Sequence, residues 1–307
     1  MYYVPLRLDA TSVHRADWVE IQLAGRGVPR LSIDELTDDL REDPADLSED
    51  EEKSGDEGRW SRARHLAEEA FGELRWRSDW LGDRYPIRFE DVEVVAWTDD
   101  SPTIVTYSFL VLLRAKQILG GSMNGGPHDP GFLFEELTTQ ATGAYVAAQA
   151  VRFGDAGGKR GSGLPINFSE AIAELARRMG EEPGDGVGSG DERADVIAWR
   201  PFGDRRAGQL VMITQATIAE GEWQMKQIRS KWEDGRLIQF VAKPLPAVGF
   251  VESMSLYSTD VFRGTDFRSV PFDRLRIVSL LTDEGIDSDL LDSMGEWTEW
   301  AITRLPE

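Results

Sequence analysis

The spacing of apolar residues sorts the chain into helical and extended stretches. Between residues 60 and 77, Ala63, Leu66, Ala67, Ala70, Phe71 and Leu74 recur at three- and four-residue intervals and share one helical face. A shorter helix is predicted for "RADWVEIQLAG" (residues 15–25). Thr103 to Leu119 reads as a largely buried helix, because its run Ile104 to Leu113 is apolar on every side. Ser32 and Glu35 have the spacing of a capping box and predict a further helix start. Asp129 before Pro130 predicts another, with Phe134, Leu137, Ala141, Tyr145, Ala148 and Val151 as its buried stripe and Gly154 as its end. Asn167 with Glu170 opens a helix that stops at Gly180. Trp223, Met225, Ile228 and Trp232 mark one more, and an amphipathic segment from Asp287 to Leu305 closes the chain.

Extended segments are predicted where short apolar runs meet turn residues, at 2–8, 88–97 and 248–258. Two more runs, Val196 to Trp199 and Leu210 to Ile213, flank a polar loop containing Pro201, Gly203 and Gly208, which is a hairpin with a long connection. Antiparallel pairing about a turn near Arg205 keeps the sum of paired indices constant, so Asp195 falls opposite Gln215. An acid beside an amide in so apolar a setting has to be solvated, hydrogen-bonded or metal-bound, since an unpaired buried charge costs several kcal/mol. The alternation of helices and strands predicts an α/β sheet with helices packed on it. The glycine- and proline-rich "GGSMNGGPHDP" predicts a boundary between a separate, mixed, helix-rich N-terminal domain (1–125) and an α/β domain (126–307).

Composition narrows the chemistry. The chain has no cysteine, which excludes disulfides and thiolate metal sites and fits a reducing, cytoplasmic setting. Its histidines, His14, His65 and His128, lack a ligand spacing, so any metal would be oxygen-ligated, such as Mg²⁺ or Mn²⁺. The formal charge of -21 is adverse to nucleic-acid binding. It is unevenly spread: residues 1–100 hold 13 Lys/Arg against 26 Asp/Glu, whereas residues 226–276 hold 9 against 6. A DNA-facing surface would therefore belong to the second half. From Asp34 to Glu57 there are 13 acids and 2 bases, and the latter part is expected to be a mobile acidic loop. The run Ile104 to Leu113 is about half the length that crosses a bilayer. The glycine-rich 154–163 stretch lacks the Ser or Thr of a phosphate loop after Lys159 and reads as a linker. Arg75, Trp76 and Arg77 could stack on bases, but packing of Trp76 and Trp80 within the N-terminal half is the expectation.

Glu135 in the helix segment "LFEEL", Asp195 before one strand, Gln215 on the next and Lys226 in the following helix together resemble the PD-(D/E)XK (restriction-endonuclease-like) nuclease superfamily. The resemblance covers roughly residues 130–255. It implies a mixed sheet flanked by helices and a metal-dependent DNA endonuclease, an activity often found in effectors of bacterial anti-phage defence. It further implies Asp195 and Gln215 as ligands of Mg²⁺ or Mn²⁺, Glu135 as a supporting ligand and Lys226 as the catalytic cation. The chain departs from the family pattern in two places: Thr217 stands where a lysine is usual, and Gln215 replaces an acid, giving one neutral oxygen donor. These departures motivate an alternative: a degenerate nuclease fold serving as a scaffold or binding subunit of a larger complex. DNA, a protein partner in a multi-subunit system and a second copy of the chain are the partners to expect; a membrane is not.

Overall fold

The computed structural model describes residues 11–305 apart from 27, 43–48, 120–122, 124, 155–160, 162, 187, 189–191, 223–229 and 255–267. Helix α1 (Ser12–Arg26) and strand β1 (Arg30–Ser32) lead into α2 (Ile33–Glu42). The capping box is formed: the Ser32 N–H donates to Glu35 Oε2 at 2.7 Å and the Glu35 N–H to Ser32 Oγ at 3.2 Å. Helix α3 (Glu49–Leu81) extends well upstream of the amphipathic stripe. The acidic segment is thus helical from Glu49 onward and not the expected loop, while residues 43–48 lie outside the described residues. Asp56 on α3 accepts from Arg41 on α2 at 2.6 Å, an ion pair that offsets part of the local repulsion.

The extended stretch 88–97 is a hairpin rather than one strand. Strands β2 (Ile87–Phe89) and β3 (Val94–Trp97) are split by a turn in which the Asp91 carboxylate accepts the Glu93 N–H at 2.7 Å. They join β1 in a small antiparallel sheet of order β1-β3-β2. Helix α4 (Ile104–Leu119) follows, as its apolar run predicts.

Helix α5 (Pro130–Val146) starts at its Asp129 cap, whose side chain accepts the Gly131 N–H at 2.9 Å. It stops well short of Gly154. Ala147 adopts the left-handed conformation (φ 48°) and returns its N–H to the last helical carbonyls. The chain then doubles back so tightly that a Cβ on Gly143 would lie 3.2 Å from that of Ala150. Residues Gln149–Arg152 form β4, so Ala148 and Val151 do not belong to a helical stripe. Helix α6 (Phe168–Met179) has its expected ends, with Asn167 accepting the Glu170 N–H and Gly180 at φ 72°.

The remaining elements are β5 (Glu182–Pro183), β6 (Val196–Arg200), β7 (Leu210–Thr217), α7 (Ser230–Glu233), β8 (Ile238–Gln239), β9 (Leu245–Phe250), β10 (Val270–Phe272), α8 (Arg274–Leu280) and α9 (Ser288–Ile302). Trp232 of the expected helix is buried on α7, whereas Trp223, Met225 and Ile228 lie outside the described residues, as do the expected strand at 2–8 and most of the linker. The strand expected at 248–258 is β9, displaced toward the N-terminus.

A five-stranded sheet of order β10-β9-β7-β6-β4 organises the second half. β4–β6 and β6–β7 are antiparallel, while β7–β9 and β9–β10 are parallel, so the fold is mixed α/β. Helix α5 covers one face. A Cβ on Gly249 of β9 would meet Thr138 Cγ2 at 2.9 Å, so the absence of a side chain there sets the close approach. Val151, Ile197, Trp199, Val211 and Ile213 point to the other face and pack against α6 through Ala171, Ile172 and Leu175. On the α5 side the apolar core is continuous across the 125/126 position: Leu36, Phe71 and Leu110 share it with Leu137, Met212 and Trp297. Among the described residues no helix is long and apolar enough to cross a membrane.

A cluster of ion pairs is sealed inside this core. Asp17 and Glu20 on α1 have no solvent exposure. The Arg77 guanidinium lies 2.9 Å from Asp17 and 2.8 Å from Glu20, Arg114 lies 3.1 Å from Asp17, and Arg274 lies 2.6 Å from Asp17. The Tyr85 and Tyr107 hydroxyls both donate to Glu20 Oε1 at 2.7 Å. Burial acts to raise the Asp17 carboxyl, but Arg274, Arg77 and Arg114 overcome it and hold that carboxyl well below the ordinary carboxylate range. A depressed folded-state pKa stabilises the fold above the unfolded value near 4 and stops doing so as pH falls toward the folded one. Asp17→Asn should therefore cost about 3–5 kcal/mol at pH 7, because it leaves guanidinium charge unpaired. In urea titrations its stability should also fall less steeply than that of the wild type as pH drops below about 4. Equal stability of the two proteins at pH 7 would show that the cluster is not what holds these helices.

Candidate functional site

The hairpin register is the one its sequence predicts. Val196 pairs with Thr214 and Ile197 with Ile213, the expected index sum, and Asp195 and Gln215 lie just beyond this last ladder pair. The alternation of β6 does not carry through to Asp195, because Ala194 and Ile197, three residues apart, both pack on the α6 side. The Asp195 carboxylate reaches toward Glu135 of α5, whereas Gln215, two residues past Ile213 on β7, falls on the α6 side. Asp195 ends the ladder in a specific way. Its N–H donates to the Thr214 carbonyl at 3.0 Å, its own carbonyl accepts from Phe153 at 2.6 Å, and its carboxylate Oδ2 accepts the Ala216 N–H at 2.7 Å. One carboxylate oxygen thus replaces a missing strand neighbour.

The other oxygen, Oδ1, turns toward β4. A Cβ on Gly154 would sit 3.7 Å from Asp195 Oδ1 and 2.9 Å from Glu135 Oε2, so the two carboxylates meet over this glycine. Glu135 reaches the meeting point from α5, the helix whose Glu136 also pairs with Arg152 of β4. Any side chain at 154 would force Glu135 aside, and here a glycine serves space rather than backbone conformation. Gln215 is 4% exposed, and its Oε1 makes no hydrogen bond among the described residues. A buried amide oxygen in that state is costly unless something else satisfies it.

Lys226 lies outside the described residues. Thr217, which holds the position usual for lysine, is buried and accepts the Ala219 N–H through Oγ1 at 3.2 Å. Glu135, Asp195 and Gln215 therefore approach the same end of the sheet, with the two carboxylates in contact range of one point. Three oxygen-donor residues of this kind suit a hard divalent cation better than zinc. No group of three or more His, Cys, Asp and Glu able to hold a metal occurs among the described residues, a count that excludes the amide of Gln215.

Sequence reasoning missed Arg152. Its place on β4 was hidden by the assignment of that stretch to a helix. Its side chain is 3% exposed, its Nε donates to Glu136 Oε1 at 2.6 Å, and its Nη1 donates to the Gly154 carbonyl at 2.9 Å and lies 3.7 Å from Glu135 Oε2. The only sequence signal was a basic residue next to the apolar Val151 and Phe153, an alternation that reads as strand once the helix is known to end at Val146.

Scans of known protein families, of characterised proteins and of solved structures return no match.

The two roles of Asp195 can be separated. Asp195→Ala removes the acceptor for the Ala216 N–H and should cost about 1–2 kcal/mol in chemical denaturation. Asp195→Asn keeps an acceptor oxygen and should cost less than half as much. Identical losses in the two variants would mean that the carboxylate charge, and not the ladder-end hydrogen bond, is what the fold uses.

Proposed function

We propose that the chain is a metal-dependent endonuclease acting on DNA, with a restriction-endonuclease-like sheet, and that a bacterial anti-phage system is its setting. The observation that carries this reading is the meeting of Glu135 and Asp195 over Gly154, at the end of the sheet where the buried amide oxygen of Gln215 makes no hydrogen bond among the described residues. The order of elements gives further support: the Glu135 helix, β4, the Asp195 strand, the Gln215 strand and then, past α7, a parallel neighbour β9.

Glu135, Asp195 and Gln215 would hold Mg²⁺ or Mn²⁺, and such an ion supplies a water reactive near neutral pH and charge stabilisation at the phosphate. Asp195 holds its Oδ1 in a fixed direction because Oδ2 is bound to the Ala216 N–H. Gln215 offers a neutral oxygen, so the donor set carries two negative charges rather than three and binds a cation less tightly than three carboxylates. Lys226 is the candidate for stabilising charge on the phosphate. The formal charge of -21 opposes approach to DNA, which favours a partner or a locally basic surface for substrate capture.

The second reading, a scaffold built on a degenerate site, is favoured by one observation: the Arg152 guanidinium already pairs with Glu135 and Glu136. A direct test compares plasmid nicking with Mg²⁺ or Mn²⁺ by the wild type, Asp195→Asn and Gln215→Glu. The nuclease reading expects a loss on the order of 10²-fold or more for Asp195→Asn. It also expects Gln215→Glu to bind Mn²⁺ about tenfold more tightly, since it adds a charged ligand. Activity that survives Asp195→Asn undiminished would remove this site from the chemistry.

A further inference from the structure

The site contains a cation of its own. Arg152 is held from several sides: Phe132 lies under its guanidinium at 4.5 Å, Glu136 and the Gly154 carbonyl take its N–H groups, and Gly161 packs directly against its backbone and Cβ. A Cβ on Gly161 would come within 2.9 Å of Arg152 Cβ, so this side of the residue is closed as well. The positive charge therefore sits at a fixed place, 3.7 Å from the Glu135 oxygen that faces Asp195.

Two carboxylates brought to one point repel each other, and a nearby guanidinium offsets that repulsion. A divalent ion placed between the same carboxylates would be repelled by it. A phosphodiester, being anionic, would favour both cations at once. We propose that Arg152 is a positioning residue that keeps Glu135 beside Asp195 in the absence of metal and holds affinity for a divalent ion low until a substrate phosphate arrives. The inference rests on the metal-binding reading of the site and adds to it an order of events, in which ion and nucleic acid bind cooperatively. It also accounts for an immobilised guanidinium in a cluster whose function otherwise calls for negative charge.

Calorimetric titration of the full chain with Mn²⁺, without nucleic acid, tests this separately from activity. Arg152→Gln should bind Mn²⁺ on the order of tenfold more tightly than the wild type. Arg152→Lys, which keeps the charge, should stay within about twofold. Lys243→Gln, an exposed substitution of the same charge change at the opposite end of the sheet, should leave the affinity unchanged. Arg152→Met retains the stem over Phe132 and carries the same expectation as Arg152→Gln should that variant fail to fold. In the wild type, a short DNA duplex should tighten Mn²⁺ binding, and it should do so less in Arg152→Gln.

If the wild type and Arg152→Gln bind Mn²⁺ equally and Asp195→Asn abolishes binding, the metal site stands and the role given to Arg152 is wrong. If no variant binds Mn²⁺ with or without DNA, the metal reading and this inference fall together. Tighter binding by Arg152→Lys than by the wild type would also overturn the inference, because the charge would then not be the cause.

Discussion

The buried ion cluster centred on Asp17 and Glu20 is the constraint on which the rest of the molecule depends. It draws guanidinium groups from α3, α4 and α8 onto one turn of α1, and Ser253, just past β9, adds a hydroxyl at 3.1 Å from Asp17. Taking such charges out of water is unfavourable, and close, hydrogen-bonded pairing is what offsets it. An arrangement of these helices that took Asp17 and Glu20 away from their guanidinium partners would leave buried charge uncompensated. The cluster therefore acts less as a source of net stability than as a penalty on every alternative packing.

That penalty reaches the sheet. Arg114, whose Nε faces Asp17, uses its Nη1 to bind Glu220 at 2.8 Å, and Gln117 on the same helix donates to the Ile218 carbonyl at 3.0 Å. Both contacts hold the chain just beyond β7. Glu252, just beyond the parallel strand β9, accepts the Gly221 N–H at 2.7 Å from the same segment. The end of the sheet where Glu135, Asp195 and Gln215 gather is thus tied to the helical half through a short series of hydrogen bonds. A change at α4 has a direct structural route to the strand that carries Gln215.

The candidate site itself arises from the ends of elements rather than from their faces. Strand β4 ends at Arg152, two residues before Gly154, β6 begins just past Asp195, and β7 runs on to Thr217. The backbone N–H of Ala216 at this step is satisfied by the Asp195 carboxylate through Oδ2. Glu135 joins Asp195 there from α5, because Gly154 has no side chain to keep the two apart. Arg152 enters on the α5 face of β4, where it both neutralises and fixes the acid beside it.

Local chemistry was enough for the sequence to determine some features. Asp129, Asn167 and Ser32 cap their helices because a side-chain oxygen close to free N–H groups is favourable whatever the rest of the chain does. The register of β6 and β7 follows from apolar alternation about a single loop. What tertiary structure decided was everything that depends on distant partners. Whether residues 147–152 continue a helix or turn back as a strand depended on an open edge at β6, and the sequence "AAQAVR" has no preference strong enough to say so. The partners of Asp17 and Glu20 lie on helices far along the chain, and no local pattern distinguishes them from solvated acids on an amphipathic helix. Arg152 became visible as part of the site only when β4 existed, because the direction of a side chain is set by the element that carries it.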